Sequence, residues 1–503
     1  MSLAVTYSRA HLGMDAPLVT VETHLSSGLP AFSIVGLPEA AVREAKERVR
    51  SAILNSHLDF PHGRITVNMA PADLPKQGGQ FDLAIALGIL AASEQIDNKS
   101  LQDYEWLSEL SLSGHLRAGP GALAAAVGCQ RSGRTLICNQ ENAQEAALVL
   151  KDRVHGAEHL LQIVRMLSDA QYELPAVTRL SEAAEVPYPD MRDIKGQYAA
   201  RRALEVAAAG RHNVLFFGPP GTGKTLLASR LPGILPPVTN EEALDVAAVQ
   251  SISGLPVQWR RRPFRSPHHS ASAAALVGGG SNPKPGEVSL AHRGVLFLDE
   301  LAEFPRAVLD VLREPLESHE VVISRASKSC TFPANFQLVA AMNPTPGGYA
   351  PDDPRSQRYS TEQIQRYLSR LSGPFLDRID LHIEVPALPK EILMTDKPEE
   401  DSATIRQRVI HAWNTQLNRQ GCANSELTGP ALEQHCQLGQ TERQLLDKAM
   451  DKLGLSARAY HRLLRVARTI ADLNDTATIN RHAIIEALNS RQLEKLTGKH
   501  VIR

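Results

Sequence analysis

The alternation of apolar and polar residues divides the chain into two α/β regions followed by a helical one. In the first region, residues 18–25 and 65–69 have the pattern of strands, whereas residues 39–54 and 81–92 have the period of helices. Short elements of both kinds are typical of one compact domain, which we place at residues 1–170.

The second region, residues 194–385, is predicted to contain a parallel sheet. Residues 214–217 and 295–298 are continuous apolar runs, as expected of strands that are buried on both faces. An alanine-rich stretch at residues 199–209 predicts a helix before the first of these strands. Residues 171–193 carry three prolines and many acidic residues, and we predict that they form a linker.

The last region is predicted to be helical. A polar break with several prolines, residues 386–402, separates it from the predicted sheet and forms a second linker. Helical patterns follow at residues 403–419, 441–453, 457–473 and 481–493. We therefore expect residues 403–503 to form a small helical bundle.

Composition and charge narrow the class of protein. The 503 residues include 54 basic and 55 acidic side chains, so the net charge is −1 and any basic binding surface must be local. Five cysteines without a C-x-x-C spacing argue against a disulfide framework and against a cysteine-based zinc site. The N-terminus lacks the pattern of a signal peptide, and the longest apolar stretch is about half of a membrane span. We expect a cytoplasmic protein with no membrane partner.

Residues 218–225, Gly-Pro-Pro-Gly-Thr-Gly-Lys-Thr, match the phosphate-binding motif G-x-x-x-x-G-K-[ST]. They lie between an apolar strand and a helical run, a context that a chance glycine-rich turn would lack. Lys224 is expected to reach the β- and γ-phosphates of ATP, and Thr225 is expected to bind Mg²⁺. The predicted nucleotide contacts are Gly218, Pro219, Pro220, Gly221, Thr222, Gly223, Lys224, Thr225 and Leu226.

Two later apolar runs end in polar residues. The run at 295–298 is followed by Asp299 and Glu300, and acids at this edge of a parallel sheet lie where ligands bind. Alone, such a pair is more often a helix N-terminus. After a phosphate loop, we predict that Asp299 holds Mg²⁺ and that Glu300 activates the attacking water. A third run ends at Asn343, which can sense the γ-phosphate and position water; alone, it would indicate an Asn-Pro turn.

The order of these motifs resembles that of an AAA+ ATPase. Residues 371–381 resemble the arginine-finger segment of the magnesium-chelatase and MCM helicase branch, and residues 456–458 resemble its sensor-2 motif. The resemblance implies catalytic roles for Arg378 and Arg458, and it implies that the finger acts on a neighbouring subunit in a ring, commonly a hexamer. Whether Arg458 acts within its own subunit or on a neighbour stays open. The alternative for either arginine is a surface salt bridge.

Basic insertions resemble the pore loops of related ring helicases. Residues 260–270 and 278–293 resemble the helix-2 insert, and residues 321–332 alternate like the pre-sensor-1 hairpin. In a ring, these loops would concentrate positive charge around a nucleic-acid backbone. The alternative is a solvated loop or a subunit contact. The candidate DNA contacts are Arg325, Lys328, Arg260, Arg261, Arg262 and Lys284.

The adjacent residues His268 and His269 could suggest a metal site. Their side chains are expected to point in different directions, and the sequence offers no evident third ligand. We favour a structural role in ordering the loop.

The N-terminal region extends the resemblance to nearly the whole chain. Residues 70–87 resemble the Lon-protease-like domain that precedes the ATPase in the ComM/YifB family, and residues 262–270 also fit that family. The implied fold class is α/β, with an AAA+ P-loop core and a C-terminal helical lid. An α+β Lon-protease-like domain, similar to ribosomal S5 domain 2, would precede the core.

The resemblance implies an ATP-driven, ring-forming DNA motor that uses ATP and Mg²⁺. Its best-understood member is a helicase that drives branch migration in recombination during natural transformation. The implied partners are single-stranded or branched DNA and further copies of the chain, with assembly that can depend on nucleotide or DNA. One alternative is a protein-remodelling motor similar to the magnesium chelatase motor subunit, and another is an ATP-gated scaffold.

Two segments depart from the family pattern. Residues 78–80, Gly-Gly-Gln, stand where active Lon peptidases have a serine nucleophile, so we expect no peptidase activity. The cysteine-rich segment that many family members carry after Asn343 is absent from residues 345–349 and 355–361. The resemblance therefore does not predict the shape of that loop.

Overall fold

The predicted elements can be compared with a computed structural model of the chain. It describes residues 2–36, 40–74, 76, 78–178, 180, 187–280, 283–325, 328–349, 359–394, 398–453, 456–491 and 493. Parts of both predicted linkers and the predicted end of the bundle therefore lie outside the described residues.

The strands occur between residues 2 and 384. They are β1 (Ser2–Arg9), β2 (Leu18–Ser26), β3 (Ala31–Val35), β4 (Arg64–Ala70), β5 (Tyr104–Leu107), β6 (Glu109–Leu110), β7 (Leu116–Arg117), β8 (Thr135–Asn139), β9 (Val154–Ala157), β10 (Val214–Phe217), β11 (Phe264–Arg265), β12 (Gly278–Gly279), β13 (Lys284–Pro285), β14 (Val295–Leu298), β15 (Glu320–Arg325), β16 (Lys328–Pro333), β17 (Gln337–Met342) and β18 (Leu381–Glu384).

Helices lie between these strands and form the C-terminal part of the chain. They are α1 (Ala40–Asn55), α2 (Asp82–Ala92), α3 (Ala122–Ser132), α4 (Gln140–Leu150), α5 (Leu160–Ser168), α6 (Tyr198–Gly210), α7 (Lys224–Ile234), α8 (Asn240–Ile252), α9 (Ala273–Val277), α10 (Glu287–Leu290), α11 (Arg306–Asp310), α12 (Pro315–Ser318), α13 (Thr361–Leu368), α14 (Gly373–Leu376), α15 (Lys390–Leu393), α16 (Ser402–Gln420), α17 (Gly429–His435), α18 (Gln440–Leu453), α19 (Ala457–Leu473) and α20 (Arg481–Asn489).

Two larger sheets organise the N-terminal region. One has the order β1-β2-β4-β3, with β3 parallel to β4 and the other pairs antiparallel. The second consists of the parallel strands β5-β8-β9. Helix α2 is buried along its whole length and packs against strands of both sheets. The long apolar run of the sequence is thus the core helix of this region.

A five-stranded parallel sheet forms the centre of the second region, in the order β11-β14-β17-β10-β18. The three central strands β14, β17 and β10 are buried on both faces, as the continuous apolar runs predict. Along β10, Val214 and Phe216 face one hydrophobic core, whereas Leu215 and Phe217 face the other. The mixed α/β fold with parallel sheets is therefore confirmed.

This region also contains two antiparallel ribbons. Strands β15 and β16 form the hairpin that the sequence predicts, and their last register pair is Arg325 with Lys328. Strands β12 and β13 form a second, shorter ribbon that carries Lys284. Both predicted insertions therefore have a defined secondary structure within the described residues.

The C-terminal helices pack against the central sheet region, with α16 and α19 both against α6. The helix predicted at residues 481–493 is wrong at its end, because α20 ends at Asn489. The His382 backbone N–H donates to the Ser490 carbonyl at 2.6 Å, which draws the chain toward the edge strand β18. None of the helices in the described ranges has the length and apolar character needed to cross a membrane.

The N-terminal region also contacts the central region directly. A Cβ atom added to Gly13 would lie 3.2 Å from Cβ of Cys330, which belongs to the β15–β16 hairpin. The Gly121 N–H donates to the Ser251 carbonyl at 3.0 Å, and the Ser251 hydroxyl donates to Glu145 at 2.8 Å. The hairpin thus contacts the turn after β1, and α8 contacts α3 and α4 of the N-terminal region.

Candidate nucleotide site

The predicted phosphate loop connects the carboxyl end of β10 to the first turn of α7. Gly221 and Gly223 have φ values of +76° and +91°, which favour glycine. Gly218 is required for a different reason, because a Cβ atom there would lie 2.1 Å from the Val385 carbonyl oxygen. Gly223 is the N-cap residue of α7 and has no side chain. The first N–H groups of the helix therefore have no side-chain acceptor.

Lys224 lies inside this loop. Its ammonium group donates to the carbonyl oxygens of Gly218 and Pro219, at 2.7 and 2.8 Å, and to Asn343 Oδ1 at 3.1 Å. Burial lowers the pKa of Lys224, and the nearby Asp299 charge partly offsets that effect. The cation is therefore held by neutral oxygens that an anionic ligand could replace.

A hydroxyl and a carboxylate lie side by side next to this lysine. Thr225 Oγ1 donates to Asp299 Oδ2 at 2.7 Å, and the Glu300 backbone N–H donates to Asp299 Oδ1 at 2.9 Å. Glu300 has a φ of +51°, and its side chain is 54% exposed. Because β14, β17 and β10 are neighbours in the sheet, the polar residues that follow them meet at one edge.

Sequence reasoning missed a further member of this site. The His269 ring nitrogen Nδ1 lies 3.1 Å from Glu300 Oε2. The centre of the same ring lies 4.0 Å from that of His268, with the two planes tilted by 35°, and it meets Phe304 edge-on at 6.5 Å. The spatial order of the strands could have revealed this contact, since β11 ends shortly before His269 and pairs with β14. The expected loop-ordering role omitted this contact with Glu300.

Arg378 and Arg458 lie at the opposite edge of the sheet. Both line a cavity of about 460 Å³, together with Asn213 and Asp380, which precede β10 and β18. The four residues of β10 separate this edge from the phosphate loop by about 13 Å. The structure therefore brings the two arginines together but keeps them away from Lys224 of the same chain.

Comparisons with known proteins show to which family the chain belongs. A family model described as magnesium chelatase, subunit ChlI, matches residues 190–393. A model described as subunit ChlI of Mg-chelatase matches residues 21–142, and one described as the C-terminal part of subunit ChlI matches residues 399–491. Competence protein ComM of Haemophilus influenzae is 52% identical over 508 residues, covering 99% of each chain. The chain belongs to the ComM/YifB family.

Two further relatives show how far the similarity extends. YifB of Escherichia coli is 49% identical over 500 residues, covering 99% of this chain and 98% of its own. The magnesium-chelatase 38 kDa subunit of Cereibacter sphaeroides is 28% identical over 185 residues, covering 33% of this chain and 55% of its own. The ComM/YifB relatives thus match throughout, whereas the chelatase subunit matches in part.

The candidate DNA contacts of this ComM/YifB chain differ in their surroundings. The side chain of Arg262 is 10% exposed, and its guanidinium donates to the carbonyls of Pro236 and Arg293 at 2.8 and 2.7 Å. It also lies 3.3 Å from Glu242. These contacts make Arg262 a packing residue of the fold.

The other basic residues are closer to solvent. Arg260 is exposed and donates to Asn240 at 2.6 Å, while Arg261 lies 4.8 Å from the ring centre of Tyr188. Lys284 is exposed on its ribbon. The side chains of Arg325 and Lys328 lie outside the described residues, although their backbones pair at the end of the hairpin.

The turn that would hold a peptidase nucleophile contains Gln80. Its side-chain amide donates to the Arg9 carbonyl oxygen at 2.8 Å. The amide thus ties this turn to the end of β1. Most of the loop after Asn343 that lacks the family's cysteines, residues 350–358, lies outside the described residues.

Proposed function

We propose that this protein is an ATP-driven DNA motor of the AAA+ class that works as a ring. The observation that carries the proposal is the arrangement of polar groups at two opposite edges of one parallel sheet. Lys224, Thr225, Asp299 and Asn343 meet at the carboxyl edge, and Arg378 lies with Arg458 at the amino edge. Two edges of this kind can form one complete ATP site where two subunits meet.

The carboxyl edge fits ATP and Mg²⁺ in its chemistry. An uncapped helix N-terminus and a buried ammonium favour phosphate, while a hydroxyl and a carboxylate oxygen 2.7 Å apart are ligands that Mg²⁺ prefers. Mg²⁺ bound there would neutralise part of the phosphate charge. Lys224 would exchange its carbonyl partners for phosphate oxygens. Phosphate contacts would extend over Gly218–Leu226 as predicted.

We assign to Glu300 the role of the general base that activates the attacking water. Its carboxylate is exposed beside Asp299 and can accept a proton from the attacking water, which Asn343 would help to hold. The amino-edge position of Arg378 and Arg458 supports an action on the neighbouring subunit's ATP for both. A ring, commonly of six subunits, would supply this neighbour at every interface.

The proposed action on DNA rests on the similarity to ComM and on the basic residues of the two antiparallel ribbons. ComM is named a competence protein, which suggests a role in natural transformation, and branch migration on single-stranded or branched DNA is the activity we assign. Arg325 and Lys328 at the hairpin end, with Arg260, Arg261 and Lys284, are the proposed backbone contacts. An N-terminal Lon-protease-like domain at 1–170, the core at 194–385 and a helical lid at 403–503 complete the proposed architecture.

The ATPase assignment is tested with two variants. Lys224→Ala is expected to lose nucleotide binding, whereas Glu300→Gln should bind ATP but reduce turnover by about 100-fold or more, since general base catalysis of this kind contributes about 10²–10⁴-fold. Nucleotide binding and phosphate release would be measured for both variants beside wild type. Wild-type turnover by Glu300→Gln would contradict its role.

The DNA assignment is tested by stimulation of turnover. Branched DNA should raise the ATPase rate of the wild type, and the effect should fall steeply as salt increases. Arg325→Ala/Lys328→Ala should lose much of this stimulation, whereas Arg443→Ala/Lys448→Ala, with the same charge change on exposed positions of α18, should keep it. Absence of stimulation in wild type would favour a protein-remodelling motor, for which the partial similarity to a chelatase subunit provides some support.

A further inference from the structure

The cavity at the amino edge contains more arginine than the two predicted catalytic residues. Its lining also includes Arg211, Arg462 and Arg465, which face the acidic residues Glu317, Asp377, Asp380 and Glu426. Five guanidinium groups against four carboxylates leave an excess of positive charge. Such a concave, basic site is suited to an anion.

Three of these arginines form a ladder on helix α19. Arg458, Arg462 and Arg465 are four and three residues apart, so they lie on one face of the helix. With a rise of 1.5 Å per residue, they extend over about 10 Å. A ladder of this length favours a ligand with several anionic groups over a single carboxylate.

The deeper arginines lack sufficient partners within the protein. Arg462 is 7% exposed, and one of its amino groups lies 3.4 Å from Asp377. Its other amino group, Nη1, and Nε of Arg465 are buried without a hydrogen-bond partner among the described residues. Burial of unpaired donors is unfavourable, so a ligand that accepted these hydrogen bonds would be stabilised. Desolvation correspondingly lowers the pKa of Arg462.

In the part of the chain that the structure describes, the site at the carboxyl edge lacks the arginine side chains that the cavity at the amino edge contains. In the described residues, the contacts of Asp299, Glu300 and the Asn343 side chain are with Thr225, His269 and Lys224, and no arginine is among them. Phosphoryl transfer requires positive charge around the transferring group beyond the loop lysine. A second copy of the chain, docked by its amino edge, carries that charge.

We propose that Arg462 and Arg465, together with the predicted Arg378 and Arg458, bind the phosphate chain of ATP held by a second copy of this chain. The inference rests on the proposed ATPase function and adds two nucleotide-contacting residues to it. Arg458 contacts the outer part of the phosphate chain, and the two deeper arginines extend the contact along the same helix face.

Rings assembled from two different variants can distinguish a nucleotide contact across the subunit interface from a structural role within one subunit. Arg465→Gln should lower turnover by about 10- to 100-fold, the range expected for the loss of a charged hydrogen bond. Mixed in equal amounts with Lys224→Ala, it should regain activity above the sum of the two separate proteins, because one type of interface then has both intact halves. A residue needed only for the fold of its own subunit would show no such recovery.

Three further variants complete the experiment. Arg462→Lys keeps the buried charge while losing the forked geometry, so it should fold and show a smaller defect that Lys224→Ala also rescues. Arg481→Gln, an exposed position on α20 that does not line the cavity, should have wild-type turnover. Arg378→Ala mixed with Lys224→Ala reports on the proposed subunit geometry itself.

The outcomes distinguish the two proposals. Recovery with Arg378→Ala but not with Arg465→Gln, or full turnover by Arg465→Gln alone, would overturn the role of the ladder and leave the ATPase assignment intact. Lack of recovery in every mixture would overturn the action on a neighbouring subunit, and the ladder proposal with it. Recovery in the Arg378, Arg462 and Arg465 mixtures supports both.

Discussion

At the scale of single residues, the sequence motifs identified the polar side chains of the candidate nucleotide site but not every side chain or carbonyl that they contact. The pairing of Lys224 with Asn343 follows from the motif order, because both residues come after strands of one parallel sheet. The burial of Arg262 could not be foreseen, since its partners are backbone carbonyls that any sequence provides. The contact of His269 with Glu300 likewise depends on the spatial order of the strands.

The His269 contact leads to a prediction for turnover. An imidazole 3.1 Å from Glu300 Oε2 restricts the orientation of the proposed base, so His269→Ala should lower kcat by about tenfold with little change in KM. Steady-state ATPase kinetics would measure both constants. His411→Ala removes another histidine–carboxylate pair, with Asp475 at 2.7 Å on the surface, and is the matched control. Equal kinetics for the two variants would remove His269 from the site.

At the scale of elements, continuous apolar runs were the most informative signal. The strands at Val214–Phe217 and Val295–Leu298 have the predicted bounds, because burial on both faces leaves few polar residues inside a strand. Helix α8 was not predicted, because its buried face includes the polar residues Gln250 and Ser251 and therefore lacks a continuous apolar stripe. The end of α20 was misplaced because a tertiary hydrogen bond, which no local pattern contains, ends the helical path at Ser490.

The edge strand β18 predicts a pH dependence of stability. Burial, with the charges of Arg491 and Arg462, lowers the pKa of His382 to about 3, against a weaker opposing effect of Asp380. The unfolded chain takes up a proton near pH 6.5, so the stability contributed by the neutral ring is complete above that pH and is lost as the pH falls toward about 3. Lowering the pH from 7 to 5 should therefore reduce the free energy of unfolding by about 2 kcal/mol through this histidine alone.

Urea unfolding at these two pH values would measure the His382 effect. His382→Leu should reduce the difference between pH 7 and pH 5 by about that 2 kcal/mol, whatever its effect on absolute stability. His62→Leu, which removes an exposed histidine, is the matched control. The same pH difference in His382→Leu as in wild type would contradict the assignment.

At the scale of the whole molecule, the N-terminal region is joined to the hairpin that we propose to contact DNA. Gly13 lies in a tight turn after β1, and its partner Cys330 is more than 300 residues away along the chain. Contacts over such separations have no signature in a single sequence. The contact nevertheless has a physical consequence, because a change in the turn would displace Cys330, which pairs with Ile323 in the middle of the β15–β16 hairpin.

Two glycines with the same backbone requirement test this connection. Gly13 and Gly133 both have positive φ values, +59° and +78°, so alanine at either costs about 1 kcal/mol of backbone strain. An added Cβ meets Cys330 at 3.2 Å in the first case and open space in the second. Gly13→Ala should therefore lower the midpoint of thermal unfolding more than Gly133→Ala, and it alone should alter the stimulation of ATP turnover by branched DNA. Equal midpoints and equal stimulation would show that the N-terminal turn and the hairpin are not energetically coupled.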